Sequence, residues 1–152
     1  GLPYFDIGSS EVSDDDQRLA YSTDVTGFRQ YVLHVKDLAT GAVQKDLAER
    51  VTSFEWAADG KTLFFTTEDP VTKRSDTLWR LVPGEAPVQL YAEKDELFRI
   101  GVGRTRDRKW LMLGIGSTDT AEWRVLPADA PGGEWRSVLP RQQGHRYRVD
   151  HR

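Results

Sequence analysis

An acidic residue at a turn, a basic residue shortly after it, and an apolar strand opened by leucine occur in that order three times in this chain. The copies are Asp15-Asp16-Gln17-Arg18-Leu19-Ala20-Tyr21, Asp59-Gly60-Lys61-Thr62-Leu63-Phe64-Phe65 and Asp107-Arg108-Lys109-Trp110-Leu111-Met112-Leu113. Leu19, Leu63 and Leu111 lie 44 and 48 residues apart, and Asp15, Asp59 and Asp107 keep the same two spacings. A period of roughly 40 to 50 residues built only from strands marks the blades of a β-propeller. One such blade cannot bury both faces of its small sheet, so neighbours must cover it and the fold is an array.

Each period divides into four strands bounded by turn residues. The first blade is predicted over 4–47, with strands at 6–12, 18–23, 30–37 and 42–45. The second covers 50–92, with strands at 52–57, 62–67, 77–82 and 88–92. The third covers 97–139, with strands at 98–103, 110–115, 122–127 and 135–139. Gly41, Gly84 and Gly132 are expected to make the turn before each last strand, where glycine most readily takes a positive φ. Residues 146–151 read as an extra strand, the first of a further blade. No stretch carries an apolar period of 3.6. The expected fold class is all-β, a partial propeller of about three four-stranded antiparallel blades plus one orphan strand. A closed propeller has at least about four blades, so these 152 residues are expected to belong to a longer protein. Two uncovered blade faces and an unpaired strand edge would favour self-association of the chain alone.

Alternation along the strands places Leu19, Tyr21, Phe65, Trp79, Leu111, Leu113 and Trp123 between blades, with Trp56, Trp110 and Trp135 joining them. The five tryptophans are read as packing residues, since aromatic side chains in strands usually pack on a neighbouring sheet. Catalytic chemistry is sparse. There is no G-x-S-x-G elbow; Ser117, after Gly114-Ile115-Gly116, comes nearest, at a strand end with no helix behind it. Gly101-Val102-Gly103 lacks the third glycine and the helix of a dinucleotide fingerprint. Both glycine pairs are read as close backbone approaches near the propeller axis. His34, His145 and His151 have no partner at a metal-binding spacing. Asp150 and His151 would point to opposite faces of a strand. Asp14-Asp15-Asp16 lacks the spacing of a calcium loop and reads as a solvated turn. No catalytic residue, metal or cofactor is assigned.

The absence of cysteine excludes disulfides, thiolate metal sites and a cysteine nucleophile. No apolar run approaches the ~20 residues of a membrane span. Residues 1–98 hold 10 basic and 18 acidic residues, whereas 99–152 hold 11 and 6. Arg104, Arg106, Arg108 and Lys109 cluster at a predicted hairpin without the interleaved aromatics of a nucleic-acid platform, and are read as a solvated turn. Neither nucleic acid nor membrane is expected as a partner. A cytoplasmic location is expected, with the periplasm left open.

Several ordered motifs go beyond pattern. Val12-Ser13-Asp14-Asp15-Asp16-Gln17-Arg18-Leu19-Ala20-Tyr21-Ser22, Thr26-Gly27-Phe28-Arg29-Gln30-Tyr31 and Val35-Lys36-Asp37-Leu38-Ala39-Thr40-Gly41 resemble a propeller segment of the oligopeptidase B branch of the prolyl oligopeptidase family of serine peptidases. Trp56-Ala57-Ala58-Asp59-Gly60-Lys61-Thr62-Leu63-Phe64-Phe65-Thr66-Thr67, Leu78-Trp79-Arg80, Tyr91-Ala92-Glu93-Lys94-Asp95-Glu96, Leu139-Pro140-Arg141 and Val149-Asp150-His151 follow in the same order. The resemblance implies a seven-bladed propeller capping a catalytic α/β-hydrolase domain that cleaves oligopeptides after Arg or Lys, with the propeller restricting access. It places the triad in the hydrolase domain, which this sequence does not contain, so the chain alone is expected to be inactive. It also implies that Arg29 lies near the contact with the catalytic domain, and Glu49, just before the next blade, is a candidate salt-bridge partner; the alternative reading of Arg29 is a surface arginine in a blade hairpin. Asp14 stands where many relatives carry the proline of a Ser-Pro-Asp-Gly turn. The competing reading is a non-enzymatic propeller scaffold for protein–protein interaction.

Overall fold

The computed structural model describes residues 4–139, 141, 142 and 144. Among the described residues twelve strands form three four-stranded sheets, each an antiparallel meander in chain order. Blade 1 holds β1 (Asp6–Val12), β2 (Arg18–Asp24), β3 (Val32–Asp37) and β4 (Val43–Ala48). Blade 2 holds β5 (Val51–Trp56), β6 (Leu63–Glu68), β7 (Ser75–Leu81) and β8 (Val88–Ala92), and blade 3 holds β9 (Arg99–Arg104), β10 (Trp110–Gly116), β11 (Ala121–Pro127) and β12 (Arg136–Ser137). The chain is all-β and matches a partial propeller. The strand expected at 146–151 lies outside the described residues.

The blades stack through two apolar seams. Between blades 1 and 2 lie Ala20, Leu33, Phe54, Trp56, Leu63 and Phe65; between blades 2 and 3 lie Phe64, Leu78, Ile100, Leu111, Leu113 and Leu126. Burial of each such leucine or phenylalanine contributes roughly 1.5–3 kcal/mol. Blade 2 is covered on both faces, so the consecutive residues Leu63, Phe64 and Phe65 are all buried, alternately toward blade 1 and blade 3. Among the described residues blade 3 is covered on one face only, and β10 alternates strictly between half-buried and buried residues.

Several expectations about single residues change. Phe65 stacks parallel on Trp79 in the first seam, with ring centroids 6.2 Å apart, and Leu111 and Leu113 fill the second. Leu19, Tyr21 and Trp123 lie outside both seams, on the outward faces of blades 1 and 3 that further blades would cover. Gly41 and Gly84 have φ of 78° and 80°, but Gly132 has no positive φ; the longer connection between β11 and β12 turns without it. Gly101 and Gly103 are not close approaches, since a Cβ on Gly103 would meet nothing within 4 Å and one on Gly101 only Ser53 Oγ at 3.9 Å. Gly114 sits on the second strand of its blade, under the Trp123 ring, 2.9 Å from where its Cβ would lie. Among the described residues no helix is long and apolar enough to cross a membrane.

Candidate interdomain contact

An antiparallel meander sends alternate connections to opposite ends. The β1–β2, β5–β6 and β9–β10 turns, which carry the repeated acidic motif, gather at one end. The β2–β3, β6–β7 and β10–β11 loops gather at the other with the blade-to-blade connectors. Backbone bonds tie this loop end together: Val51 N–H donates to Tyr31 C=O at 3.0 Å and Glu68 N–H to Arg50 C=O at 2.9 Å.

The β2–β3 loop is built around Asp24, which is fully buried. Its Oδ1 accepts from Thr26 N–H at 2.8 Å and Thr26 Oγ1 at 2.6 Å, and its Oδ2 from Arg29 N–H at 2.9 Å. Burial pushes this carboxyl upward, but the bonds from Thr26, Arg29 and Gln30 outweigh it and hold Asp24 below the usual aspartate value. An ionised carboxylate that collects backbone donors is a rigid cage. The cage fixes Arg29 at a φ of 56°, a conformation that strains a residue with a Cβ. Phe28 is thrown outward, 78% exposed, and the Arg29 side chain is exposed beside it. Behind them Tyr31 donates its hydroxyl proton to Asp6 Oδ2 at 2.8 Å, which raises the Tyr31 pKa.

Glu49 lies in the β4–β5 connector, exposed, at the same end as Arg29. Among the described residues no ion pair joins the two. The neighbouring segments are held as firmly. Asp69 Oδ1 accepts from Val71 N–H and Thr72 N–H at 2.8 and 3.0 Å, and Arg74 Nη1 donates to the carbonyls of Glu93, Asp95 and Phe98. Each displays an apolar tip, Val71 at 86% and Leu97 at 74% exposure. Farther along the same end, buried Glu93 and Glu122 share Arg141, whose guanidinium lies 4.0 Å from the Phe98 ring centre.

The nearest approach to a nucleophile is idle. Ser117 Oγ bonds Asp119 Oδ1 at 3.2 Å and accepts from Thr120 N–H at 3.1 Å, closing the β10–β11 turn. His34, the one histidine among the described residues, lies on β3 in blade 1, bonded to Thr23 Oγ1 at 2.7 Å. Among the described residues no three His, Cys, Asp or Glu side chains gather in a way that could hold a metal ion.

At the turn end Arg106, Arg108 and Lys109 are exposed, as a solvated hairpin requires, but Arg104 is not. The Arg104 side chain is only 3% exposed and grips Asp14 with both terminal nitrogens, Nη1 to Oδ1 at 2.8 Å and Nη2 to Oδ2 at 2.9 Å. It also donates to Trp56 C=O and Arg108 C=O. One guanidinium from blade 3 therefore fastens all three blades. The bonds from Arg104, joined by those from Arg108, hold the Asp14 carboxyl below its ordinary range despite partial burial.

The model of the prolyl oligopeptidase N-terminal β-propeller domain matches residues 3–152. The chain belongs to this family. Dipeptidyl aminopeptidase BI of Pseudoxanthomonas mexicana is 37% identical over 158 residues, covering 99% of this chain and 21% of that protein. Protease 2 of Moraxella lacunata is 29% identical, covering 97% and 22%. Among solved structures, oligopeptidase B from Leishmania major superposes with a TM-score of 0.85 at 26% identity, over 97% of this chain and 22% of that one. The chain thus spans about a fifth of the length of the curated relatives it matches. In this family the propeller is the N-terminal domain of a longer peptidase.

Proposed function

We propose that this chain is the non-catalytic, substrate-gating part of a serine oligopeptidase that cleaves oligopeptides after Arg or Lys. Its loop end faces the catalytic α/β-hydrolase domain, with Arg29 and Glu49 at the contact, and the triad lies in that other domain. The observation that carries the reading is the Asp24 cage, which holds Arg29 in a strained backbone conformation and leaves Phe28 and the guanidinium facing outward. Strain held in place by a built network is characteristic of functional contacts, and the family match makes a catalytic domain the natural partner. A free-standing scaffold is disfavoured by that match. The likeness to a dipeptidyl aminopeptidase favours a second reading of the specificity, release of dipeptides from a free amino terminus.

The test is Arg29→Ala in the full-length protein, assayed on amino-blocked Arg- and Lys-linked chromogenic peptides and on unblocked dipeptide substrates. We expect turnover of the blocked Arg and Lys substrates, a several-fold loss of kcat/KM in the variant, and a melting temperature nearly unchanged, because exposed ion pairs contribute only about 0–1 kcal/mol. The 152-residue chain alone should turn over neither. Unchanged activity with a sharp fall in melting temperature would make Arg29 structural. Exclusive turnover of the unblocked dipeptides would replace the specificity while keeping the gating role.

A further inference from the structure

Beside the Arg104 staple, at the turn end, a second arginine stands between two carboxylates. Arg108 Nη2 lies 2.7 Å from Asp14 Oδ1, and its Nε lies 3.1 Å from the same oxygen. On its other side Nη2 is 4.0 Å from Glu55 Oε1, beyond hydrogen-bond reach. Glu55 is 7% exposed, and its Oε1 is buried with no hydrogen-bond partner. A buried carboxylate oxygen without a donor is costly when charged and acceptable when the group is neutral.

We propose that Arg108 is the moving part of a proton-operated latch: it holds Asp14 of blade 1 while Glu55 of blade 2 is a neutral acid, and transfers to Glu55 when that side chain ionises. The parts suit the motion. The Arg108 side chain is 47% exposed and free to swing, whereas Arg104 is enclosed and held by several acceptors. Asp14 can release Arg108 because Arg104 still binds both of its oxygens. The charged groups facing Glu55 are Glu11 from β1, Asp14 from the β1–β2 turn, Arg104 from β9 and Arg108 from the β9–β10 turn. With Glu55 neutral, these two carboxylates balance the two guanidiniums. Its ionisation adds a negative charge beside the one cation able to approach. Burial, followed by the charge of Glu11, pushes Glu55 up to about 7 against the pull of Arg108 and Arg104, so the transfer falls near neutral pH.

The test is crystallographic, on the full-length protein at about pH 5.5 and about pH 8.5, which bracket the transition. We expect Arg108 on Asp14 in acid, and in base an Arg108–Glu55 contact of about 2.8 Å. In Glu55→Gln, Arg108 should stay on Asp14 at both pH values. Hydrogen exchange of the β1–β2 turn amides, corrected for the intrinsic pH effect, should be several-fold faster in base in the native protein and unchanged in Glu55→Gln. If Arg108 keeps Asp14 at both pH values in the native protein, or moves in Glu55→Gln as well, the latch is overturned.

Discussion

Replacing Asp14 by asparagine removes one charge from the turn end and tests whether Arg104 fastens the three blades. The guanidinium it would strand is 3% exposed, while Asp14 itself is 30% exposed at its side chain. Breaking a fully buried pair by deleting one partner costs about 3–5 kcal/mol. Here water reaches the carboxylate side, asparagine still offers one acceptor, and the Trp56 and Arg108 carbonyls remain, so we expect a loss of about 2–3 kcal/mol. At about 2–4 °C per kcal/mol for a domain of this size, the melting temperature should fall by about 4–12 °C. Arg104→Met should cost less than Asp14→Asn, because it leaves a partly hydrated carboxylate in place of an enclosed cation. The double variant should sit close to Arg104→Met alone, with a coupling of about 2–3 kcal/mol between the sites. The assay is chemical denaturation of the four proteins at two salt concentrations, and added salt should barely change the difference, since enclosed pairs are weakly screened. A loss below about 0.5 kcal/mol for Asp14→Asn, or strict additivity in the double variant, would refute the staple.

The remaining predictions concern pH, glycine and assembly. His34 Nδ1 accepts from Asp46 N–H at 3.1 Å, and burial lowers its pKa. The fold therefore binds the proton less readily than the unfolded chain, and stability should be complete above about pH 6.5 and decline as pH falls below it; His34→Gln should flatten that decline in denaturation curves. Glu55, raised to about 7, has the opposite sign: its stabilisation is complete below about pH 4.5 and lost as pH rises through 7, so Glu55→Gln should gain stability at about pH 8 and little at about pH 4.5. Gly8→Ala should cost about 1–3 kcal/mol, because its Cβ would lie 2.6 Å from Ser22 Oγ and 2.7 Å from the Tyr31 ring; Gly103→Ala, facing open space, should stay within about 0.5 kcal/mol by thermal melting. The chain alone, with outward faces carrying Tyr21, Leu19 and Trp123, should self-associate at micromolar concentration in light scattering; a clean 17.3 kDa monomer that binds no hydrophobic dye would contradict this.

Strands and blades are legible in the sequence because they depend on local signals: a period of two, turn glycines, and aspartates whose carboxylates catch the next backbone N–H groups, as Asp59 does with Lys61 and Thr62. The direction in which a given face points is not local. Tyr21 and Phe65 look alike in sequence, yet one faces outward and the other a seam, because blade 2 has two neighbours in this chain and blade 1 has one. Arg104 carries no local signal of its role. It sits among other cations, and the carboxylate that neutralises it lies 90 residues away. Only the stacking of blades brings the two together. The Asp24 cage has a readable trace in the pair Asp24 and Thr26 ahead of Gly27-Phe28-Arg29, but the positive φ at Arg29 has none, since arginine rarely takes it.

The double coverage of blade 2 bears on how such a chain leaves the ribosome. Thr62-Leu63-Phe64-Phe65-Thr66-Thr67 is six residues without a charge, rich in β-formers and of the length that pairs into cross-strand aggregates. Blade 1 is already synthesised when this run emerges and can shield the faces of Leu63 and Phe65. The face of Phe64 has no cover from blade 3 until Ile100 has been made, 36 residues later, and is closed only with Leu111 and Leu113. At synthesis rates of about 5–20 residues per second, that face stays open for several seconds. Lys61 and Glu68, exposed and half-buried at the two ends of the run, stand where charges that discourage strand addition are most useful. The segment most thoroughly enclosed in the finished array is therefore the one that needs guarding while the array is incomplete.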